Sequence, residues 1–381
     1  MAVAEASRGD FDGAIMDQGD FVDSDDEIDV EMSAEDPEGY ENGVYYPICI
    51  GEILAKRYRI EHKLGHGGFA TVWMAYDILG KRDIALKIAM PGDSGDREYR
   101  IQSEIIKTIQ DTSNLLIFHD MFYVQGLYGD HRVFVFPLKG PNLRDFAQQK
   151  SVDTHLNTAN VMYSLRPLED CITTTAKYKQ LGRPKKLNLP PFAAPWKQGE
   201  LVTPMAPHDS LVGDTVCIGD FGQAIKAGTS VTQKVQSPPI YCAPELFHTA
   251  NPSFASDMWS YMCIFAELYL GCPLFSAPGN STTVTFMVDT LGPLPATWKG
   301  CYEASGRPCH DSWYDPARMP DPRLAIEAKV PRIRSDTGLA ERQLVLSILR
   351  RGLSYLPKHR LTAGQLLEDP AFKELMGIYG L

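Results

Sequence analysis

A glycine-rich segment between two β-forming runs constrains the fold of this chain more than any other feature. Leu64–Val72 reads LGHGGFATV; it follows the strand-like run 57–60 and leads into the strand-like run 71–75. Glycine lets backbone N–H groups approach a phosphate closely because no Cβ intervenes. In a dinucleotide fingerprint the glycines open a helix, whereas here a strand follows. The sequence therefore predicts a β-hairpin whose turn is either a plain glycine turn or a phosphate-binding loop.

The rest of the chain divides into a β-rich part followed by a helical part. A third strand is predicted at Asp83–Ile88, and isoleucines at every fourth position predict a helix over 97–110. Two more strands are expected around 115–118 and 132–136, and long stretches of helical apolar period follow from Asp257. This order favours an α+β fold with a small β-rich part and a larger helical part.

Acidic residues are concentrated at the N-terminus. Residues 1–46 hold 15 Asp and Glu against the single base Arg8, while the remaining chain holds 33 acidic and 36 basic residues. Such a segment has too few apolar residues to offset chain entropy, so we expect an acidic disordered tail over 1–46. Its charge also permits a docking arm for basic peptides. The overall net charge of −11 argues against direct nucleic-acid binding.

Cysteine usage and hydropathy indicate a reducing compartment and no membrane partner. The eight cysteines include no CxxC pair, so we expect free thiols, in the cytoplasm or the nucleus, and no zinc site. The N-terminus does not read as a secretory signal. The most apolar stretch, Trp259–Phe275, contains Glu267 and is short for a bilayer, so it predicts a buried helix.

Lys87 is the first candidate for phosphate chemistry. It lies in the middle of the third predicted strand, where a lysine is usually solvated. A lysine that a carboxylate holds in place can instead fix two phosphates of a nucleotide as an oriented charge. Glu98 and Glu104 on the following helix are the candidate partners. Glu104 is preferred because it adjoins the apolar stripe and should therefore lie nearer the sheet.

Two oxygen-bearing side chains are candidate magnesium ligands. Asp220, in the sequence IGDFG, follows a predicted strand end and opens a flexible turn. Its carboxylate suits Mg²⁺, which prefers hard oxygen ligands, and Asn160 upstream offers a neutral oxygen. An isolated Asp-Phe-Gly tripeptide is common by chance, so this interpretation depends on the neighbouring motifs.

In this order the motifs resemble the eukaryotic protein kinase family. Further segments extend the resemblance across roughly 48–376: Ala243-Pro244-Glu245, Asp257-Met258-Trp259-Ser260 and Arg360. Within the family, YPICIGE at 46–52 and the insert at 168–213, which contains the basic run Arg183–Lys186, look like those of SR-protein kinases.

The resemblance implies a bilobal, protein-kinase-like fold and a Ser/Thr protein kinase that uses ATP and Mg²⁺. The implied substrate is a protein, in the SR-protein subfamily an Arg/Ser-rich one. The implied division is an N-lobe at 47–140 and a C-lobe at 141–381 that carries the partly unstructured insert. The residues implied to contact the nucleotide are Leu64, Gly65, Gly67, Gly68, Val72, Ala85, Lys87, Phe136 and Leu138. Glu245 is implied to pair with Arg360.

The segment before Asn160 departs from the family pattern. Counting back five residues from Asn160, where the family has its catalytic Asp, gives His155, and Asp153 stands where the family has its His. His155 or Asp153 is therefore the candidate proton acceptor. The stretch between Phe146 and His155 is also too short for the long helix that the family has there. The sequence leaves two alternatives: an active kinase, or a pseudokinase that binds nucleotide without turnover.

Overall fold

The computed structural model describes residues 17–143, 158–168, 173–193, 196–226, 229, 238–248, 250–276, 279–303 and 310–381. The chain forms two compact units, which comprise Met1–Pro141 with Tyr163–Gly222 and Asn142–Met162 with Gln223–Leu381. Strands belong to the first unit and most of the long helices to the second, so the α+β prediction is confirmed.

The first unit contains all the strands of the described residues. They are β1 (Asp20–Phe21), β2 (Ile53–Leu54), β3 (Tyr58–Gly67), β4 (Ala70–Asp77), β5 (Arg82–Ala89), β6 (Asp120–Gln125), β7 (Asp130–Pro137), β8 (Val161–Leu165, of which the part from Tyr163 belongs here), β9 (Lys185–Asn188), β10 (Glu200–Val202) and β11 (Val212–Ile218). Its helices are α1 (Glu27–Ser33), α2 (Glu38–Glu41), α3 (Asp93–Thr108) and α4 (Thr174–Leu181).

An antiparallel sheet of six strands in the order β2-β3-β4-β5-β7-β6 is the centre of this unit. Side chains alternate between the two faces of a strand, and one face of the sheet is apolar. Three side chains that project from this apolar face are 0% exposed: Trp73, Leu86 and Val135. Ile48, which precedes the six strands in sequence, and Val202, which follows them, pack in the same core. The core therefore joins residues about 150 positions apart.

The predicted order of three strands, a helix and two strands is confirmed, with one strand misplaced. We expected a strand at 115–118, but β6 begins at Asp120. The apolar run instead pairs with the end of β11: Leu116 N–H donates to the Ile218 carbonyl at 2.7 Å, and Leu115 forms a parallel bridge with Ile218. Its apolar side chains mark a partly buried connection, which sequence alone does not distinguish from a strand.

The expected disorder of the N-terminal tail is wrong for its described part. Val30 on α1 and Tyr40 on α2 are 0% and 1% exposed. They pack against Leu189 and Leu201 of the insert, and β1 joins β9 and β10 in a three-stranded sheet. The tail alone cannot bury enough surface, but together with the insert it forms a small second core.

The insert also differs from expectation. Its described residues carry α4, β9 and β10, and the segment Tyr163–Gly222 belongs to the first unit and not to the helical one. Buried ion pairs attach it to the rest of that unit. Lys177 on α4 contacts Glu61 of β3 at 2.7 Å, and Lys186 contacts Glu200 at 2.9 Å. Glu200 in turn accepts the Ile50 N–H at 2.8 Å.

The second unit is built around one buried helix. Its helices are α5 (Phe254–Leu270), α6 (Asn280–Leu291), α7 (Ile326–Ile333), α8 (Leu339–Gly352), α9 (Ala363–Leu367) and α10 (Pro370–Ile378). Ser253 and Ser256 form a capping box at the start of α5, and Gly271, at a φ of 71°, ends it in the left-handed conformation. Trp259 is 0% exposed, which confirms the predicted buried helix. In the described ranges no helix combines the length and apolarity that a membrane span needs.

A buried ion pair joins the segment before α5 to the segment before α9. Arg360 donates to both oxygens of Glu245 at 2.9 Å, and the two side chains are 0% and 3% exposed. Arg360 also donates to the Ser354 carbonyl at 3.0 Å and stacks 5.1 Å above the Trp259 ring. The pairing that the resemblance implied is therefore present.

Replacing Arg360 by Met should strongly destabilise the second unit. The substitution leaves the Glu245 carboxylate buried without its cation, which costs about 3–5 kcal/mol of unfolding free energy. Arg350→Met is the matched control, because Arg350 pairs with Glu327 at 2.9 Å where both side chains are about half exposed; it should cost at most about 1 kcal/mol. Urea titration followed by tryptophan fluorescence measures both. Equal losses for the two variants would contradict the assignment.

His62 should make the stability of the first unit depend on pH. It lies 2% exposed on β3, and burial lowers its pKa to about 4 from a usual 6.5. Above pH 6.5 the His62 ring is neutral in both the folded and the unfolded chain. Between pH 6.5 and 4 only the unfolded chain takes up a proton on this ring, so the free energy of unfolding falls as the pH falls. The loss across this window is about 3 kcal/mol. His62→Gln should remove that part of the slope in urea titrations at pH 7.5 and 5; an unchanged slope would refute it.

Candidate active site

The predicted site residues on the strands share one face of the six-stranded sheet. In the observed register Val72 lies opposite Lys87, and Ala85 lies opposite both Met74 and Phe136. Cross-strand partners project from the same face. Val72, Ala85, Lys87 and Phe136 therefore lie together, on the face opposite the apolar core. Residues that are up to 64 positions apart in sequence are brought into one patch.

Leu64 and Leu138 lie at the edge of this patch. Both pack, partly buried, in the cluster that contains the buried Met74. A register shift between Lys63 and Gly65 interrupts the β3–β4 pairing at Leu64. Such a bulge redirects a side chain at the edge of a sheet. The structure thus groups these two predicted residues with the four on the strands.

The glycine-rich segment forms the predicted hairpin between β3 and β4. Gly65 pairs with Val72 and Gly67 with Ala70, which leaves Gly68 and Phe69 as the turn. A Cβ added at Gly65, Gly67 or Gly68 would meet nothing within 4 Å, and none of the three has a positive φ. Neither packing nor backbone conformation within this unit requires glycine there. What these positions do provide is open space beside the backbone, which allows an incoming phosphate to approach it closely.

Lys87 contacts two carboxylates. Its ammonium lies 2.8 Å from Glu98 Oε2 and 2.9 Å from Asp220 Oδ1. The lysine and glutamate side chains are 19% and 5% exposed, and that of Asp220 is 53% exposed. Burial lowers the pKa of Lys87, but the two carboxylates outweigh it and hold that pKa above its usual range. The lysine is thus a fixed positive charge at the open side of the cluster.

The choice of Glu104 as the partner of Lys87 is wrong. Glu104 is exposed, whereas Glu98 makes the ion pair. The face of α3 that turns inward carries Gly95, Glu98 and Gln102, spaced at three and four residues, and the isoleucine stripe is only partly buried or exposed. The apolar stripe was therefore a misleading guide, because the helix buries a polar stripe against the sheet.

Gln102 is a site residue that the sequence analysis missed. Its Nε2 donates to Glu98 Oε1 at 3.0 Å, and its Oε1 accepts the Phe118 N–H at 3.0 Å. Gln102 is 0% exposed, so both hydrogen bonds are shielded from water. The amide fixes the orientation of the carboxylate that binds Lys87. The spacing of four residues between Glu98 and Gln102 was the available signal.

Asp220 is held in an unusual backbone conformation. It has a φ of 56°, in the left-handed region that few non-glycine residues adopt. The end of β11 before it is fixed by two hydrogen bonds: Ile218 N–H donates to the Asn114 carbonyl at 2.9 Å, and the Ile218 carbonyl accepts the Leu116 N–H. Gly222 lies near the same glutamate, since a Cβ added there would be in van der Waals contact with Glu98 Oε2 at 3.5 Å. The strained turn orients the carboxylate toward Lys87.

The donors present fit magnesium bound together with a phosphate, and not a metal bound by the protein alone. Among the residues that the structure describes, no group of three or more His, Cys, Asp or Glu is arranged to hold a metal. Asp220 offers one exposed carboxylate next to the cation of Lys87. Mg²⁺ is commonly bound by one or two carboxylates, water and substrate phosphates, which matches this set.

Three predicted site residues remain: Asn160, Asp153 and His155. Asn160 ends a short 3₁₀ turn, Thr158–Asn160, in the second unit, and its magnesium role stays a prediction. Asp153 and His155 lie outside the described residues.

Comparison with known proteins agrees with this geometry. The protein kinase domain family model matches residues 209–372, which include Asp220, Glu245 and Arg360. The chain is 24% identical to the serine/threonine-protein kinase SRPK of Physarum polycephalum over 93% of each protein. It is 32% identical to SRSF protein kinase 3 of Mus musculus over 29% of this chain and 20% of that protein.

The resemblance to protein kinases is confirmed. A third relative, the probable serine/threonine-protein kinase clkA of Dictyostelium discoideum, is 24% identical over 86% of this chain. The chain spans 37% of the length of that protein. The similar proteins are thus named as serine/threonine kinases of the SRPK and CLK kinds, and the protein kinase family model covers the part of the chain that holds Asp220.

The pairing of Lys87 with Glu98 predicts a selective change in lysine reactivity. Glu98→Gln removes one of the charges that raise the pKa of Lys87, so more of its amine is neutral at pH 9. Trinitrobenzenesulfonate should then label it faster, about tenfold for each unit by which the pKa falls. Glu104→Gln, on the same helix, is the matched control and should label like the wild type. Peptide mass spectrometry measures the rates, and acceleration by the Glu104 variant alone would contradict the pairing.

Proposed function

We propose that this protein is a Ser/Thr protein kinase that transfers the γ-phosphate of ATP, with Mg²⁺, to Arg/Ser-rich protein segments. The observation that carries the proposal is the contact of Lys87 with both Glu98 and Asp220. It brings a cation for phosphates and a carboxylate for magnesium within one hydrogen-bonded cluster. Phosphoryl transfer depends chiefly on such positioning and charge stabilisation.

Each group of the cluster has a role in this proposal. Lys87 binds phosphate oxygens, Glu98 holds the lysine in place, and Asp220 binds Mg²⁺ with Asn160 as the second ligand. The glycine-rich hairpin tip covers the phosphates, and the empty space beside its glycines allows the backbone to approach them closely. Val72, Ala85, Phe136 and Leu138, with Leu64, provide the apolar surface for an adenine ring.

The substrate class rests on the relatives. Two proteins similar to this chain are named SRPK and SRSF protein kinase 3, names that refer to SR-protein substrates. The sequence at 46–52 and the presence of an insert support the same subfamily. We therefore infer serine residues in arginine-rich segments as the acceptor.

A second candidate function is a pseudokinase that binds nucleotide as a scaffold. The observation that favours it is His155 at the position of the family's catalytic carboxylate. A neutral imidazole, with a usual pKa of about 6.5, is able to accept the hydroxyl proton, so the substitution by itself does not abolish transfer. The two candidates differ in turnover and agree in nucleotide binding.

Radiolabelled ATP and an Arg/Ser peptide distinguish them. The wild type should label the peptide in the presence of Mg²⁺, and Asp220→Ala should lower the rate by about 10²–10³-fold because a magnesium ligand and a partner of Lys87 are lost. Asp214→Ala is the control and should retain the rate, because Asp214 is an exposed aspartate on β11, the strand that leads to Asp220. His155→Asp should raise the rate if a displaced base limits it, by up to about 10²-fold.

The opposite result identifies the scaffold. If MgATP raises the melting temperature of the wild type and not of Asp220→Ala, while no peptide is labelled, the protein binds nucleotide without transfer. If MgATP neither binds nor reacts, both candidates fall.

A further inference from the structure

The tip of the glycine-rich hairpin is held from one side by the N-terminal segment. Tyr45 Oη donates a hydrogen bond to the Gly67 carbonyl at 2.9 Å. His66 Nε2 lies 3.3 Å from the Ser33 carbonyl. The contacts reach the tip of the hairpin through the Gly67 backbone and the His66 side chain, and residues 66–69 are exposed. We call residues 33–45 the N-terminal strap.

A buried ion pair fixes the strap to the strand that leads into the turn. Glu35 pairs with Lys63 of β3, and both side chains are 0% exposed. Tyr40 donates its hydroxyl to the same carboxylate, and the Lys63 ammonium lies 4.8 Å above the Trp73 ring. Because a buried charge without its partner is costly, this anchor keeps the strap in one position. Tyr45 is then placed by its edge contact with Tyr40, at 5.4 Å between ring centroids.

The other side of the strap is attached to the insert. Tyr40 and Tyr45 share an apolar cluster with Leu189, Ala193 and Leu201. The basic run of the insert, which the nucleotide site does not use, binds the acidic residues just before the strap. Arg183 donates to both oxygens of Asp20 at 2.7 and 2.8 Å, and Lys185 lies 3.2 Å from Asp26. The charges that the sequence separates by about 160 residues are thus neutralised in one place.

We propose that the N-terminal strap positions the glycine-rich turn for nucleotide phosphates, with Tyr45 as the positioning residue. The inference rests on the proposed function, because it assigns the turn to phosphates. A turn with three glycines that touch little around them loses much conformational entropy when a ligand fixes it. The hydrogen bond from Tyr45 fixes the Gly67 peptide before the ligand arrives. Affinity then rises because less ordering remains to be done on binding.

Tyr45→Phe in the full chain tests this directly, because it removes the hydroxyl and keeps the ring that packs on Tyr40. Tyr123→Phe is the matched control: it removes a tyrosine hydroxyl from β6, where the residue is 51% exposed. Three readouts are needed for each protein. They are hydrogen exchange of the amides of residues 64–69 without nucleotide, the affinity for MgADP by calorimetry, and the melting temperature.

The Tyr45 variant should exchange faster in residues 64–69 and bind MgADP about three- to tenfold more weakly, the effect of one lost hydrogen bond. In the transfer assay its KM for ATP should rise while its KM for the peptide stays constant. The melting temperature should stay near that of the control, since the ring packing is kept. A merely structural role would lower the melting temperature and leave the ratio of the two KM values unchanged.

Two results would overturn the inference. Unchanged exchange in residues 64–69 would show that Tyr45 does not hold the turn. Faster exchange with unchanged MgADP affinity would show that the held conformation is not the one that binds phosphate. Failure of phosphoryl transfer alone would leave the MgADP and exchange readouts intact. Absence of a nucleotide site looks different again, because the wild type and the Tyr123 variant would then bind no MgADP either. In that case the positioning of phosphates falls too, whatever the exchange rates are.

Discussion

The candidate site depends on one partly buried cation between two carboxylates. Lys87 is placed by the register of the central strands, Glu98 by a polar stripe of α3, and Asp220 by a strained turn after β11. None of the three would stay in this geometry alone, because each is held by neighbours that belong to a different segment. The ammonium needs a carboxylate in its partly buried setting, and the carboxylates need the ammonium. The ion pairs therefore connect the sheet, the helix and the Asp220 turn.

Complementary charge also explains how the N-terminal segment and the insert become ordered. The N-terminal 46 residues carry a net charge of −14, and five of the six cations of the insert are Lys177, Arg183, Lys185, Lys186 and Lys197. Four of these five cations pair with acidic residues that lie outside the insert: Lys177, Arg183, Lys185 and Lys197. Lys186 pairs within the insert and so supports β9 and β10. Charge pairing at the surface contributes little on its own, but the apolar cluster beneath it supplies the burial that each segment lacks alone.

The sequence was a good guide to the elements and to most of the site. The glycine hairpin, the lysine on the third strand, the Asp220 turn, the buried helix of the second unit and the Glu245–Arg360 pair were all expected from local pattern or from the resemblance, and the structure contains them. Such features are encoded locally, by glycine, by alternation of polar and apolar residues, and by short motifs in a fixed order. The order of these motifs was decisive, since each of them alone is common.

Tertiary structure decided the matters in which two distant segments meet. The amino-acid sequence determined that Lys87 needs an acidic partner on the next helix, but only the packing of that helix selected Glu98 over Glu104, because α3 turns its Gly95–Glu98–Gln102 side inward. Likewise, composition determined that the N-terminal segment cannot fold by itself, and only its contact with the insert gave it helices and a core. The physical reason is the same in both cases. Burial is a property of a pair of surfaces, and the pattern along one segment does not specify the surface that it will meet.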